Sequence, residues 1–376
     1  MSERFRILHC LRAPVGGLFR HVLDLSAEQA ARGHDVGLVF DSTSTDPLGE
    51  ARLADVAPGL TLGVTRIPMS RWPGIGDLAA SRAVADLARQ RNADVLHGHG
   101  AKGGAYARLA GRLLRLKGRR VGTFYTPHGG SLHFAPGSPE ALLFIGAEKI
   151  LARFTDGLIF ESDFIRQAYE RRVGRGLAPA AVITNGVGPA DFVTNAPEPD
   201  AADFVFVGEL RQLKGVDVLL RALAQVARAR PTRAIIVGAG PEAETFESLA
   251  AELGLADVVE FPGPLPAARA FRLGRAIVVP SRAESLPFIV MEAAAAEVPL
   301  IATNVGGIPE IVQGSDTPLL PPGDVGALAR AMHGFLDAPG TAAKRARRLK
   351  EMVRERFAIG ATTAAVLDFY AAHLPR

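Results

Sequence analysis

The stretch SRAESLPFIVMEAAA (281–295) decides how this chain is read. Ahead of it, AIVVP (276–280) is a short apolar run of the kind shown by a parallel strand buried on both faces, and behind it IVMEAAAA reads only as helix. The turn between them therefore lies at a strand's carboxyl end. Ser285 suits the N-cap and Pro287 the first helical turn, so the unpaired backbone N–H groups near 285–288, those of Ser285, Leu286 and Phe288 beside Pro287, are expected to point outward and attract phosphate. Glu284, on the turn, is placed to meet a sugar hydroxyl. Glu292, about two turns into the helix, is placed to accept hydrogen bonds from a second polyol such as ribose. A lone glutamate is most often a solvated surface group. Glu292, however, stands between Met291 and an alanine run, on a face that is otherwise packed, where a carboxylate needs a partner.

Outward from this element the same alternation extends in both directions. FRILHCL (5–11) reads as strand, APVGG as a glycine turn, LFRHVLDLSAEQAARG (18–33) as an amphipathic helix stopped by Gly33, and HDVGLVF (34–40) as the next strand. Further strands are expected at 61–68, 94–99, 120–126, 157–161 and 181–184, with helices at 77–92, 102–117, 139–154 and 162–172. Repeated βαβ units imply a parallel sheet wound on both faces. The alternation then breaks at 189–202, rich in Pro, Ala and Asp with neither period, which is the expected linker. It restarts with DFVFVGEL (203–210), a helix at 216–230, RAIIVGAG (233–240), a helix at 242–254, VVEFPG (258–263) and a helix at 266–274. The expectation is an α/β protein of two doubly wound domains, 1–188 and 203–359, with ligands in the crevice outside the strands' carboxyl ends. A last apolar helix in 360–376 is expected to pack back on the first domain.

Motifs gather at those strand ends. Gly16 and Gly17 follow the first strand, where a chain without Cβ atoms lets a ligand come close, although a tight turn alone explains them as well. FVGELRQLKG (206–215) brings Arg211 and Lys214 to a strand end just before a helix, two cations suited to a diphosphate; exposed surface is the competing reading. VGAGP (237–241) has G-x-G after a strand but lacks the rest of the dinucleotide fingerprint. His97 and His99 share one face of a strand, and His128 ends the following one. Three imidazoles are enough ligands for zinc, but no helical H-x-x-x-H or carboxylate accompanies them, so local hydrogen bonding is the expectation and no metal site is assigned. His128, ahead of Gly129 and Gly130, is the one that reads as a polar group beside a reacting centre.

Composition limits the alternatives. With 376 residues, 48% of them hydrophobic, and a net charge of +4, the chain suits a two-domain enzyme of acidic small molecules and gives no reason to expect nucleic acid. Its single cysteine, Cys10, excludes a disulfide framework or a thiolate metal site and fits a reducing compartment. Arg4, Arg6 and Arg12 interrupt any signal-peptide core, and Glu292 and Glu297 interrupt the most apolar stretch, so a cytoplasmic protein is expected. The helix ARLAGRLLRLKGRR (107–120) sets leucines beside Arg108, Arg112, Arg115, Lys117, Arg119 and Arg120, a pattern suited either to an anionic membrane or to an ordinary sheet-packing helix with a basic outer face.

Taken together these residues resemble a known family. The glycine loop with RHVLDL after it, TPHG, ITNGV (183–187), VGELRQLKG, VGAGP, the E-x7-E element from Glu284 to Glu292, and NVGGIPEIV (304–312) are similar to retaining glycosyltransferases of family 4, across nearly the whole chain. The resemblance implies the GT-B fold, two Rossmann-like domains facing each other across a cleft. It also implies a nucleotide-diphosphate sugar held mainly by the C-terminal domain and a hydroxyl acceptor, a sugar or a lipid-linked sugar, held mainly by the N-terminal one. Residue by residue, the resemblance implies the following site roles. Glu284 and the 285–288 amides would hold the donor sugar, Glu292 the ribose, Lys214 the diphosphate, Gly16 and Gly17 a phosphate or sugar edge, and His128 the sugar near the reacting carbon. Where the family has arginine directly after the strand-end glycine, this chain has Glu209, with Arg211 two residues on as its replacement. No metal or cofactor is implied. Another GT-B enzyme, such as an epimerase or phosphorylase, and a non-catalytic sugar-nucleotide-binding protein are the alternative readings.

Overall fold

Short apolar runs followed by glycine or proline turns become parallel strands in a computed structural model that describes residues 4–43, 46–130, 137–194 and 196–375. The chain divides into two compact units, Met1–Gly186 with Ile359–Arg376, and Val187–Ala358.

In the first unit the elements run β1 (Arg6–Leu11), α1 (Gly16–Ala31), β2 (Asp35–Asp41), α2 (Pro47–Val56), β3 (Gly63–Ile67), α3 (Gly76–Gln90), β4 (Val95–His99), α4 (Gly100–Leu116), β5 (Gly122–Thr126), α5 (Pro139–Leu151), β6 (Gly157–Phe160), α6 (Asp163–Arg172) and β7 (Ala180–Val182). The sheet order is β3-β2-β1-β4-β5-β6-β7, every pair parallel, with Leu8 beside Gly37 on one side and Leu96 on the other. Successive residues face opposite ways along a strand. Leu8, Cys10 and Leu96 thus pack under Tyr106, Ala107 and Ala110 of α4, while Ile7, Val95 and Phe124 meet Leu25 of α1. The last helix, Ile359–His373, completes this second face with Val366, Leu367 and Tyr370.

In the second unit β8 (Ala202–Val207), α7 (Val216–Ala229), β9 (Ala234–Val237), α8 (Ala243–Glu252), β10 (Val259–Gly263), α9 (Ala267–Ala270), β11 (Gly274–Val279), α10 (Phe288–Ala295), β12 (Leu300–Thr303), α11 (Ile308–Val312), β13 (Leu319–Leu320), α12 (Val325–Asp337) and α13 (Pro339–Arg356) follow in turn; Ile359–His373 is then α14. The strand order is β10-β9-β8-β11-β12-β13, again parallel throughout. In both sheets the order of strand addition reverses once, between β1 and β4 in the first unit and between β8 and β11 in the second. Ligands bind doubly wound sheets at such switch points, outside the strands' carboxyl ends.

Several elements differ from the sequence expectation. Helix α2 was not anticipated; Asp46 caps it by accepting from the Leu48 amide, and Pro47 opens it. The helix expected over 266–274 stops at Ala270, and Gly274 already begins β11. The expected linker is not free chain. Pro189–Phe192 forms a 3-10 turn, and the Glu198 amide donates to the Arg272 carbonyl, so this stretch is bound to the second unit; its Asn195, like the terminal Arg376, lies outside the described residues.

The basic helix also differs. Arg108 of α4 is fully buried, with its guanidinium 3.9 Å from the Tyr125 ring centroid and paired bidentately with Glu148 at 2.9 and 3.1 Å. Arg115 likewise binds Asp156 at 2.8 Å. Both charges counted toward an outer basic face point inward or are paired. Removing one partner of a buried ion pair strands the other charge away from water. Glu148→Ala is expected to destabilise the first unit by about 3–5 kcal/mol, measured by urea unfolding; a change within experimental error would mean that water reaches Arg108.

Candidate functional site

In the second unit the switch point is formed by the turn after β8, Gly208–Gly215, and the turn after β11, Pro280–Pro287. Lys214 from the first donates to both carboxylate oxygens of Glu284 from the second, at 2.7 and 2.9 Å. Ser281 Oγ donates to Glu284 Oε1 at 2.7 Å. Glu284 is 8% exposed and the Lys214 side chain 26%. The carboxylate is therefore oriented by two donors while the ammonium keeps an open side.

The two turns are tied together below this pair. Arg282 forms a two-pronged bridge to Asp217 at 2.7 Å, and its backbone amide donates to the Leu213 carbonyl at 2.8 Å. Burial disfavours the charge on Asp217, but the Arg282 guanidinium outweighs it and holds the carboxyl below its usual range. Thr303 Oγ1 donates to the Ser281 carbonyl at 2.6 Å, which fixes the turn from β12.

Close backbone approach completes the arrangement. Gly306, at φ +58°, has its missing Cβ position 2.0 Å from the Glu284 carbonyl oxygen, and the Gly307 amide donates to the Ser285 carbonyl at 2.7 Å. Gly306→Ala would thus meet both a left-handed backbone and a clash. It is expected to lower thermal stability and to displace Glu284 from Lys214; an alanine variant with an unchanged thermal midpoint would mean that this turn opens without cost.

The helix start differs in detail from the expectation. Ser285 is not the N-cap of α10. Its carbonyl is engaged by Gly307, Leu286 precedes a proline and so avoids helical backbone, and Pro287 stands at the N-cap with ψ 121°. The helix begins at Phe288 and is apolar nearly all round, with Val290, Met291 and Ala293–Ala295 fully buried. Glu292 sits among them at 9% exposure, a carboxylate on a packed face as its neighbours required.

Arg211 and Glu209 stand apart from this pair. Both are about half exposed, at 47% and 53%, and lie 3.6 Å from each other, so the guanidinium is partly offset by the neighbouring carboxylate. The sequence put Arg211 and Lys214 together as two cations; the structure gives each its own acid.

At the switch point of the first unit α1 begins at Gly16 rather than at residue 18, without a side-chain cap, and Gly16 and Gly17 are exposed with open space over Gly16. Behind them lies a group of five imidazoles, of which the sequence reading singled out three. His99 Nδ1 is 3.1 Å from His128 Nε2, and His99 Nε2 is 2.9 Å from His9 Nδ1. His9 Nε2 meets Gln29 Oε1 at 2.8 Å. His97 is held separately by Tyr370 at 2.6 Å and Thr126 at 2.9 Å. His21 packs 5.2 Å from His128 between ring centroids. Nitrogens of His9, His97 and His99, and of His21, His99 and His128, fall within 4.8 Å of one another, a spacing that metal ions accept. Both ring nitrogens of His9, His97 and His99 already have hydrogen-bond partners, so a metal would have to displace an existing network. Burial lowers His9 to about 4 and His128 to about 3, which keeps these rings neutral. His9 and His21 escaped the sequence reading because each sits in an apolar pattern of a strand or helix with no second histidine nearby.

Known proteins resemble this chain in sequence and in fold. The family described as Glycosyltransferase Family 4 matches residues 15–191, and Glycosyl transferases group 1 matches residues 201–338. A glycogen synthase of Mycobacterium tuberculosis is 28% identical over 389 aligned positions, covering 95% of this chain and 91% of that protein. D-inositol 3-phosphate glycosyltransferase 2 of Catenulispora acidiphila is 38% identical over 186 positions, 46% of this chain and 43% of its own length. Among solved structures, Anabaena HepE in complex with UDP-glucose superposes with a TM-score of 0.81 at 20% identity, covering 98% of this chain and all of that one. Sucrose-phosphate synthase from Thermosynechococcus elongatus does so with 0.79 at 21% identity, covering 98% of each chain. Two family descriptions in tandem over most of the chain, on two parallel Rossmann-like sheets, lead to one assignment: the chain is a glycosyltransferase of GT-B type and belongs to the group 1, family 4 glycosyltransferases.

Proposed function

We propose that this enzyme moves a hexosyl group from a nucleoside-diphosphate sugar to a hydroxyl acceptor with retention of configuration and without a metal. The observation that carries the proposal is the Lys214–Glu284 pair at the switch point of the second sheet, beside the start of α10. A cation at that place suits a diphosphate, and a carboxylate oriented by Ser281 suits sugar hydroxyls. Glu292 is assigned the ribose, and the amides at the start of α10 the phosphate or sugar. Relatives whose structures hold UDP or UDP-glucose make a uridine nucleotide the first donor to test. In the first unit, Gly16, Gly17 and His128 are assigned to phosphate or sugar groups. Arg211 is a supplementary cation that Glu209 tempers.

In the reaction so proposed, the bond from the anomeric carbon to the diphosphate breaks and the acceptor oxygen bonds the same face. The acceptor's proton passes to the departing phosphate oxygen. Glu284 orients the sugar, and Lys214 stabilises the charge that grows on the diphosphate. No metal takes part in this scheme.

Calorimetric titration with UDP, GDP, ADP and their sugar conjugates, each with and without EDTA, tests it. Selective binding of one nucleotide that survives EDTA is expected; loss of binding on chelation would overturn the metal-free scheme. Glu292→Ala is expected to weaken UDP itself about tenfold or more, the scale of one charge-assisted hydrogen bond. Equal affinity in both proteins would contradict the ribose role.

For the acceptor we propose a sugar or lipid-linked sugar, with the end of α4 meeting an anionic membrane. Arg112, Leu116, Lys117 and Arg120 are exposed there, and no helix among the described residues is long and apolar enough to cross a bilayer. Sedimentation with anionic vesicles is expected to weaken as salt rises; binding indifferent to lipid charge and salt would remove this contact.

A further inference from the structure

The imidazole chain behind Gly16 and Gly17 has a direction. An amide oxygen only accepts, so the orientation of Gln29 that sets Oε1 2.8 Å from His9 Nε2, and leaves the amide nitrogen buried without a hydrogen bond, assigns the proton of that ring to Nε2. A neutral His9 then has a bare Nδ1, which accepts from His99 Nε2 at 2.9 Å. His99 in turn has a bare Nδ1, which accepts from His128 Nε2 at 3.1 Å. Turning the Gln29 amide over would reverse all three bonds and move every proton to Nδ1. One buried side chain thus selects between two states of a ring three links away.

We propose that Gln29, His9 and His99 are positioning residues that set the tautomer of His128, keeping its proton on Nε2 and leaving Nδ1 as a hydrogen-bond acceptor for a sugar hydroxyl. The link to sugar rests on the role assigned to His128 above; the tautomer relay does not. Gln29 and His9 are fully buried and His99 is 1% exposed, so water does not compete for these bonds. Burial also disfavours a charge on any of the rings, which would break the one-way order of donors and acceptors. His128 itself has a left-handed backbone, φ +51°, between Pro127 and Gly129, and its carbonyl accepts from the Gly130 amide at 2.9 Å. A residue held in that strained conformation, with its ring anchored from behind, has its free nitrogen fixed in direction.

Nitrogen-15 spectra of the full chain labelled in its histidine rings read the tautomers directly. In the unaltered protein near neutral pH, His9, His99 and His128 are all expected with the proton on Nε2. Gln29→Met keeps the volume and removes the acceptor; His128 is then expected as a mixture of tautomers, with kcat about tenfold lower and KM for the donor changed less. A proton on Nδ1 of His128 in the unaltered protein would overturn the relay, and that result needs no variant to fold. A folded Gln29→Met protein with an unchanged single tautomer at His128 would overturn it as well. If the spectra are as expected and His128→Ala has full turnover, the relay stands and the sugar contact of His128 fails.

Discussion

Lys214→Ala is expected to lower kcat by about 10²–10³-fold at saturating donor, the loss that follows removal of one preorganised charge from a developing anion, about 3–4 kcal/mol. The geometry gives the change two consequences. It removes the cation proposed for the diphosphate, and it leaves Glu284, 8% exposed, with Ser281 in place of two donors. Glu284 is then free to turn, so part of the loss belongs to the sugar-orienting group. A cycle with Glu284→Gln separates the two: residues that act as a pair are non-additive, and the double variant should be little worse than Lys214→Ala alone. Additive losses would mean that neither side chain holds the other in its working position. Unchanged kcat in Lys214→Ala would take this lysine out of the mechanism.

Acidification is expected to destabilise the first unit steeply between about pH 6.5 and 4. His9 is neutral in the fold down to about 4, against 6.5 ordinarily, because it is buried. His21, His97 and His99 are lowered by burial too, and His128 falls to about 3. Below 6.5 the unfolded chain binds protons on these rings that the folded one refuses, so stability is full above 6.5 and falls as the pH drops toward the folded values. His9 alone accounts for about 3 kcal/mol over that window. Five such rings in one unit make its thermal midpoint fall by far more than surface groups would allow. The check is a scan of unfolding temperature from pH 8 to 4, with the unit's own tryptophan, Trp72, as the reporter. A midpoint that stays level to pH 4 would mean that the rings are already charged or open to solvent in the folded protein.

Much of this was legible in the sequence, for definite reasons. The doubly wound sheets show because strands buried on both faces read as apolar runs, and helices between them keep a 3.6-residue period. Glu292 stood out because it is a charge inside an apolar neighbourhood, and Glu284 because it lies on the turn at a strand's carboxyl end. What stayed hidden is pairing across long separations. Lys214 meets Glu284 seventy positions on, and Arg108 meets Glu148 through forty, and no local pattern announces either. The same holds for Ser281, Thr303 and the Arg282–Asp217 bridge, whose residues look like ordinary turn and helix-start polar groups until the strands set them side by side. The N-cap at Ser285 was misplaced because the sequence does not reveal that Gly307 binds its carbonyl. Glu209 beside Arg211 was visible as a departure from the family, and the structure turns it into a local pair.

The chain leaves the first unit at Gly186 and returns to it only at Ile359. On a ribosome, this order matters. Residues of β1 to β7 emerge first, yet the face formed by Ile7, Val95 and Phe124 has only Leu25 of α1 over it until Val366, Leu367 and Tyr370 have been made. At elongation rates of 5–20 residues per second the delay is about 10–30 s, long enough for the inserted unit to fold on its own and for the earlier sheet to wait as an open, sticky intermediate. His97 shares that wait, since its partner hydroxyl is that of Tyr370. Nascent chains stalled just short of Ile359 should therefore recruit holding chaperones that chains stalled past the end of the last helix release.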